Sequence, residues 1–309
     1  MTTTEPPEPA LVALDWGTTS LRAWLLDGHG HALDSARTPR GIMQVAGRDF
    51  AGALAEVADG WPDVPAIAAG MVGSAQGWVE APYLPCPASP DDLAGGLVQV
   101  PGKRLWIVPG VRRLGDLPDV MRGEETQIAG AVALRPDLAE GGTLVLPGTH
   151  SKWVLVAGGK IETFSTFMTG ELFALLRDHS ILGRAAARPG PAHDGDAAFL
   201  RGVDAARAAD GIAPLLFSTR ALVLTGGIAP TEALDYLSGL LIGDELRAAL
   251  AAPASQPLLI GEPALCALYS RALTRFGIEG AKTIPDAAVA GLWRVATAAG
   301  LVQATKETA

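Results

Sequence analysis

The sequence predicts an α/β protein built of two similar lobes, and three observations carry that prediction. Residues 11–27, LVALDWGTTSLRAWLLD, read as a strand, a tight polar turn and a second strand. Residues 143–164, TLVLPGTHSKWVLVAGGKIETF, repeat the layout and add a third strand after Gly158-Gly159. Elsewhere, short apolar runs alternate with segments of helical spacing. The two Gly-Thr turns lie roughly 130 residues apart, far beyond the period of a solenoid repeat. They therefore mark lobes rather than units of an array.

The elements follow in order. Residues 1–9 are polar and Pro-rich and read as a disordered tail. A third strand at 30–38 follows the turn at His29-Gly30. Residues 49–60 place Phe50, Leu54, Val57 and Ala58 on one helical face. Strands are predicted at 64–69 and 104–108. Between them, AGMVGSAQGWVEAPYLP (69–85) is a loop rich in glycine and aromatics. A helix opens at Gly123-Glu124-Glu125, where acidic residues suit the positive end of the helix dipole. After the second meander come helices at 170–182, 197–209, 231–251, 263–276 and 286–299, a loop at 184–195, and strands at 221–224 and 257–260. The domain reading is a tail at 1–9, an N-terminal lobe at 10–122 and a C-terminal lobe at 123–309.

The chain has 309 residues, 49% of them hydrophobic, so a large core is available. Its net charge is −9 and no Lys/Arg-rich run occurs, so no nucleic-acid partner is expected. The two cysteines, Cys86 and Cys266, suggest neither a disulfide framework nor a zinc site. They suit small buried hydrophobes. The first residues, MTTTEPPEPA, lack the apolar stretch of a signal peptide. No run of 18 apolar residues suggests a membrane span. The expected location is the cytoplasm. A homodimer is allowed by the sequence but not specified by it.

The turns carry the chemistry. Gly17 lets a backbone come close to a ligand. Turn N–H groups and the hydroxyls of Thr18 and Thr19 can donate to phosphate oxygens. Asp15, where the first strand ends, can hold Mg²⁺ directly or through its waters. Gly148 and Thr149 repeat the arrangement, with His150 beside them as polar lining.

Two hairpins, an acidic helix between them and a late Gly-bearing strand-to-helix turn resemble the sugar kinase/Hsp70/actin superfamily. The segments LVALDWGTTSLRAW, GEETQIAGA, LPGTHSKWV, LLIGEPALCALYSRAL and DAAVAGLWRVA would be its first phosphate, first connecting, second phosphate, adenosine and second connecting motifs. Within that superfamily the chain is similar to the 2-dehydro-3-deoxygalactonokinases. The strings carrying the resemblance are DWGTTSLRAWL, AGMVGSAQGWVEAPYL, VMRGEETQIAG, LPGTHSKWV, TFMTGELFALL and LSGLLIGDEL. The resemblance implies two ribonuclease H-like lobes with an ATP cleft between them. It also implies transfer of the ATP γ-phosphoryl to the 6-hydroxyl of 2-dehydro-3-deoxy-D-galactonate, a step of D-galactonate catabolism.

Residue roles follow from the resemblance. Glu124 is the expected general base, with Glu125 as the alternative. Asp15 organises Mg²⁺. Gly17, Thr18, Thr19, Gly148, Thr149 and Lys152 serve the phosphates, and Gly261 lies by the adenosine. Gly226-Gly227 is a competing adenosine turn, disfavoured because a helix intervenes before the second connecting motif. Gly73, Ser74, Trp78, Tyr83, Arg122, Thr169 and Glu171 line the sugar. Arg122 is the preferred partner for the substrate carboxylate, ahead of Arg22 and Lys152. Two other functions fit such a fold: another phosphotransferase or polyphosphate phosphohydrolase, and a non-enzymatic nucleotide-gated sugar sensor. The AGMVGS loop favours the kinase. The lack of a basic segment before Leu11 disfavours the sensor.

Overall fold

The first β-meander is the scaffold for the first turn. In the computed structural model, which describes residues 7–188, 190, 193–251 and 256–302, it comprises β1 (Pro9–Trp16), β2 (Leu21–Asp27) and β3 (Ala32–Thr38), all antiparallel. Of the tail expected at 1–9, residues 1–6 lie outside the described residues, and Pro9 already opens β1.

Chain contacts divide the protein into two units. The first holds 1–141, 155–164 and 286–309; the second holds 142–154 and 165–285. The division passes through the second hairpin, so the far part of that hairpin counts with the first unit.

In the first unit, α1 (Phe50–Val57) is capped by Asp49, whose side chain accepts from Gly52 N. Then follow β4 (Ala66–Ala69), β5 (Tyr83–Pro85), α2 (Pro90–Gly95), β6 (Val98–Gln99), β7 (Leu105–Ile107), β8 (Gly110–Arg113), β9 (Asp119–Met121) and α3 (Glu124–Leu134). The main sheet runs β3-β2-β1-β4-β7-β6, with β1, β4 and β7 parallel. A small sheet has the order β5-β8-β9, so the segment expected to be a loop at 69–85 ends in a strand, and Ala69 already belongs to β4. As a central strand, β1 buries Leu11, Val12, Ala13 and Leu14 in succession. That explains its continuous apolar run, since a strand covered on both faces need not alternate. Val12, Leu14 and Trp16 join Phe50, Val57 and Ile107 in one core cluster.

The second hairpin comprises β10 (Gly142–Leu146), β11 (Ser151–Ala157) and β12 (Lys160–Phe167). After it come α4 (Thr169–His179), α5 (Asp196–Arg207), α6 (Ser218–Leu224), α7 (Ala233–Ala249), β13 (Leu258–Leu259) and α8 (Pro263–Arg275). Their sheet has the order β12-β11-β10-β13, with β13 parallel to β10. Val145, Trp153, Phe199, Leu246 and Tyr269 share its core. The last helix, α9 (Ala287–Ala298), belongs to the first unit and packs on α3 and β1.

One predicted strand is a helix. Residues 221–224, ALVL, form the second half of α6. A short apolar run fits a buried strand and a helix equally well. Here Gly226, at φ +71°, closes the helix, and Gly227 N returns to Leu222 O at 2.7 Å. That is a helix C-terminal turn, which glycine favours. Gly226 therefore ends a helix rather than following a strand.

Candidate functional site

Each unit presents one Gly-Thr turn. In the first, Gly17 N bonds Ser20 O at 2.9 Å, closing the β1–β2 connection. The turn is braced from behind: Ile42 N donates to Gly17 O at 3.0 Å and Met43 N to Thr18 O at 3.3 Å. Gly41 is the point of closest approach, since a Cβ there would collide with the Thr18 carbonyl and Thr19 N. Thr18 and Thr19 are exposed. A Cβ at Gly17 would find only Ser20 O, at 3.6 Å. Asp15 sits opposite Arg22 in the β1–β2 register, and Arg22 Nη2 donates to its carboxylate at 2.5 Å.

In the second unit, Gly148 and Thr149 follow β10. A Cβ on Gly148 would meet no described atom within 4 Å. Helix α4 starts against this turn. Glu171 N donates to Thr149 O at 3.0 Å, and a Cβ on Gly170 would come 2.5 Å from Gly148 O. His150 Nε2 and Glu171 Oε2 are 2.5 Å apart. Lys152, on β11, is buried, and its ammonium donates to His150 O at 3.3 Å. Gly261 follows β13, where a Cβ would lie 3.3 Å from Pro147 O, so this strand end adjoins the residue preceding the second turn.

The start of α3 is closely constrained by its backbone. Gly123 has φ +111°, a conformation reserved for glycine, and a Cβ on it would come 3.2 Å from Gly70 Cα. Gly70 (φ +95°) itself has no room for a Cβ, which would sit 2.8 Å from Trp16 O. The ends of β1 and β4 and the start of α3 are thereby stacked backbone to backbone. Glu124 is partly exposed, and its Oε2 accepts from Arg122 N at 3.1 Å. Glu125 has no exposed surface. Its carboxylate accepts from Gly123 N and Thr126 Oγ1. Burial, followed by repulsion from Glu124, raises its pKa to about 8, outweighing those hydrogen bonds.

The loop at 69–85 converges on Arg122. This buried side chain lies over the Tyr83 ring, 4.2 Å from its centre, and donates from Nη2 to Ala81 O at 2.7 Å. Arg122 Nη1 and Ser74 Oγ are buried and have no hydrogen-bond partner among the described residues. Gly73 fits beside Nη1, 3.0 Å from where its Cβ would be. Trp78 stacks on Phe50 with ring centres 6.0 Å apart and meets Trp16 edge-on, so its ring is joined to the core.

Sequence reasoning missed two contributors. Gly41 lacks any neighbouring motif that would reveal its role behind the first turn. Glu245, on α7, is buried and accepts hydrogen bonds from Ser151, Trp153, Thr169 and Tyr269. Its signal was present: it lies one helical turn beyond Leu241 and Ile242, both buried.

The mixed α/β fold is shared with proteins of distant sequence. In keeping with it, the activator of 2-hydroxyisocaproyl-CoA dehydratase from Clostridium difficile superposes with a TM-score of 0.52 at 12% identity, over 97% of this chain and 99% of that one. A crystal structure from Sinorhizobium meliloti, of a protein provisionally named a 2-dehydro-3-deoxygalactonokinase, is much nearer. Its TM-score is 0.85 at 39% identity, covering 93% of this chain and 98% of that one. The 2-dehydro-3-deoxygalactonokinase of Escherichia coli K12 is 39% identical over 293 residues, 93% of this chain and 97% of its own length. The family model for 2-keto-3-deoxy-galactonokinase matches residues 15–295, and the chain belongs to that family. Among the described residues, no helix is long and apolar enough to cross a membrane.

Proposed function

We propose that this protein is an ATP-dependent kinase that phosphorylates the 6-hydroxyl of 2-dehydro-3-deoxy-D-galactonate. Family membership across residues 15–295 is the observation that carries the reaction. The two turns support the residue assignment. Neither fold packing nor a positive φ demands glycine at 17 or 148. Close approach of a ligand phosphate is the remaining physical reason for a residue without a side chain.

In this reading Gly17, Thr18, Thr19, Gly148 and Thr149 donate to nucleotide phosphates, Lys152 adds positive charge and Gly261 lies by the adenosine. Asp15 is the residue that would hold Mg²⁺. A single carboxylate suits an ion that keeps most of its waters and binds phosphate oxygens. Arg22 already neutralises Asp15 at 2.5 Å, so the ion would share or displace that partner. Bound there, Mg²⁺ would neutralise phosphate charge. Glu124 accepts the proton of the 6-hydroxyl as that oxygen bonds to phosphorus and the bond to the ADP oxygen breaks. Glu125, fully buried and bonded to Gly123 N, is read as supporting the turn.

The orphaned Ser74 Oγ and Arg122 Nη1 support placing the sugar acid by the 69–85 loop, with Gly73, Trp78 and Tyr83 shaping that side. An unpaired buried donor costs about 1–3 kcal/mol, which a substrate hydroxyl or carboxylate would recover. Thr169 and Glu171 are assigned to the same substrate. A coupled ADP-release assay over a panel of sugar acids tests the reading. Turnover should depend on 2-dehydro-3-deoxygalactonate. Phosphate release from polyphosphate, with no stimulation by any sugar acid, would assign the protein to hydrolysis instead.

A further inference from the structure

We infer that Glu245 is the positioning residue for the second phosphate turn. The inference rests on the nucleotide reading above. The observation behind it is a carboxylate with four donors from three different elements. Ser151 Oγ (β11) and Trp153 Nε1 (β11) reach Oε1, each at 2.8 Å; Tyr269 OH (α8) reaches Oε2 at 2.6 Å, joined there by Thr169 Oγ1 (α4). With Glu245 itself on α7, the group ties β11, α4, α7 and α8 together.

Two of those donors flank the turn. Ser151 is the first residue after Gly148-Thr149-His150. Thr169 opens α4, whose Gly170 and Glu171 sit directly on Gly148 and Thr149. One acceptor therefore fixes both the exit of the turn and the helix that backs it. Neither Ser151 nor Thr169 is exposed, so water does not substitute for the carboxylate. Here the partners are hydroxyls and an indole, which set direction without adding opposing charge. Burial pushes the Glu245 carboxyl above its ordinary range, while the four donors oppose that shift.

The distinguishing property is selectivity for phosphate over nucleoside. Glu245→Leu removes the acceptor at similar bulk and frees Ser151 and Thr169. It should weaken binding of a non-hydrolysable ATP analogue at least tenfold, measured by calorimetry, and leave adenosine affinity within about twofold. Glu245→Gln retains one acceptor oxygen for Ser151 and Trp153, and the Thr169 and Tyr269 hydroxyls can rotate to accept from its amide. It should restore most of the lost affinity. If the Leu variant does not fold, Gln carries the test against wild type, with a loss of about threefold expected for the analogue alone.

Equal weakening of analogue and adenosine would mean general loosening and would overturn the inference, as would unchanged analogue affinity in a folded variant. Failure of the kinase reading is separate. It would show as wild-type protein that binds the analogue yet transfers no phosphoryl group to any sugar acid.

Discussion

The backbone N–H of Gly123 donates to both carboxylate oxygens of Glu125, at 2.9 and 2.7 Å. The side chain thus folds back on the residue two before it. This caps the N-terminus of α3 from inside, where a free donor would otherwise be unsatisfied. It also leaves Glu124, between the two, as the carboxylate with exposed surface.

Replacing Glu124 by Gln should lower kcat at least 100-fold, the scale of a lost general base. Nucleotide affinity should stay within about threefold of wild type. Steady-state kinetics and calorimetry check both. Undiminished turnover would remove Glu124 from the reaction.

Glu125 should make stability depend on pH. Its native pKa of about 8 lies above the ordinary value of 4.5. Between those values the folded protein holds more protons than the unfolded chain, so this contribution is full at low pH and fades as pH rises through the native value. Every tenfold difference in proton affinity between the two states is worth about 1.4 kcal/mol. Glu125→Gln cannot titrate. Wild type should therefore lose stability relative to the variant from pH 5 to pH 8, followed by urea midpoints. A constant difference across that range would contradict the raised pKa.

Gly123→Ala tests the stacked backbone. Alanine at φ +111° is strained by about 1–3 kcal/mol, and its Cβ would press on Gly70 Cα. The variant should melt lower and lose at least tenfold in kcat, because the start of α3 carries Glu124. A drop in melting temperature with full kcat would separate the strain from the chemistry.

Gly41→Ala should act at a distance from α3. Its methyl group would push the Thr18 carbonyl out of place. Overpacking of this kind costs about 1–3 kcal/mol. Affinity for ADP should fall at least fivefold. Gly47→Ala serves as a local control, because it carries the strain of φ +59° yet meets no described atom within 4 Å. Equal ADP affinities for the two variants would mean that the brace behind the turn is dispensable.

The two meanders and their turns were legible because their signals are local, whereas β5, β6, β8 and β9, each two to four residues long, were not. The apolar run at 11–14, the Gly-Thr pairs and Gly158-Gly159 each act within a few residues. The helix at Glu124 was legible for the same reason. Residues 221–224 were not, because a four-residue apolar run has no period of its own and Gly226 decided the matter from outside it. The separate fates of Glu124 and Glu125 follow from helix phase: Glu125 shares a buried face with Ile128 and Ala129. Glu245 and Gly41 depend on partners far away in sequence, 94 residues in the case of Ser151 and Glu245. The burial of Glu245 was legible from its place on the helix, but its partners, like those of Gly41, become visible only once the chain is folded.

The packing of α9 on α3 and β1 constrains the order of assembly. A Cβ on Gly130 or Gly291 would strike the opposing backbone, so the two helices meet with nothing between them. Yet α9 is separated from α3 in the chain by the whole of the second unit. During synthesis from the N-terminus, the second unit emerges in full before the first receives its covering helix. Until then the apolar side of α3 has no partner from α9. A released chain truncated after Pro285 should therefore show an α3 that proteases cleave, with protection of α3 seen only in the full-length chain.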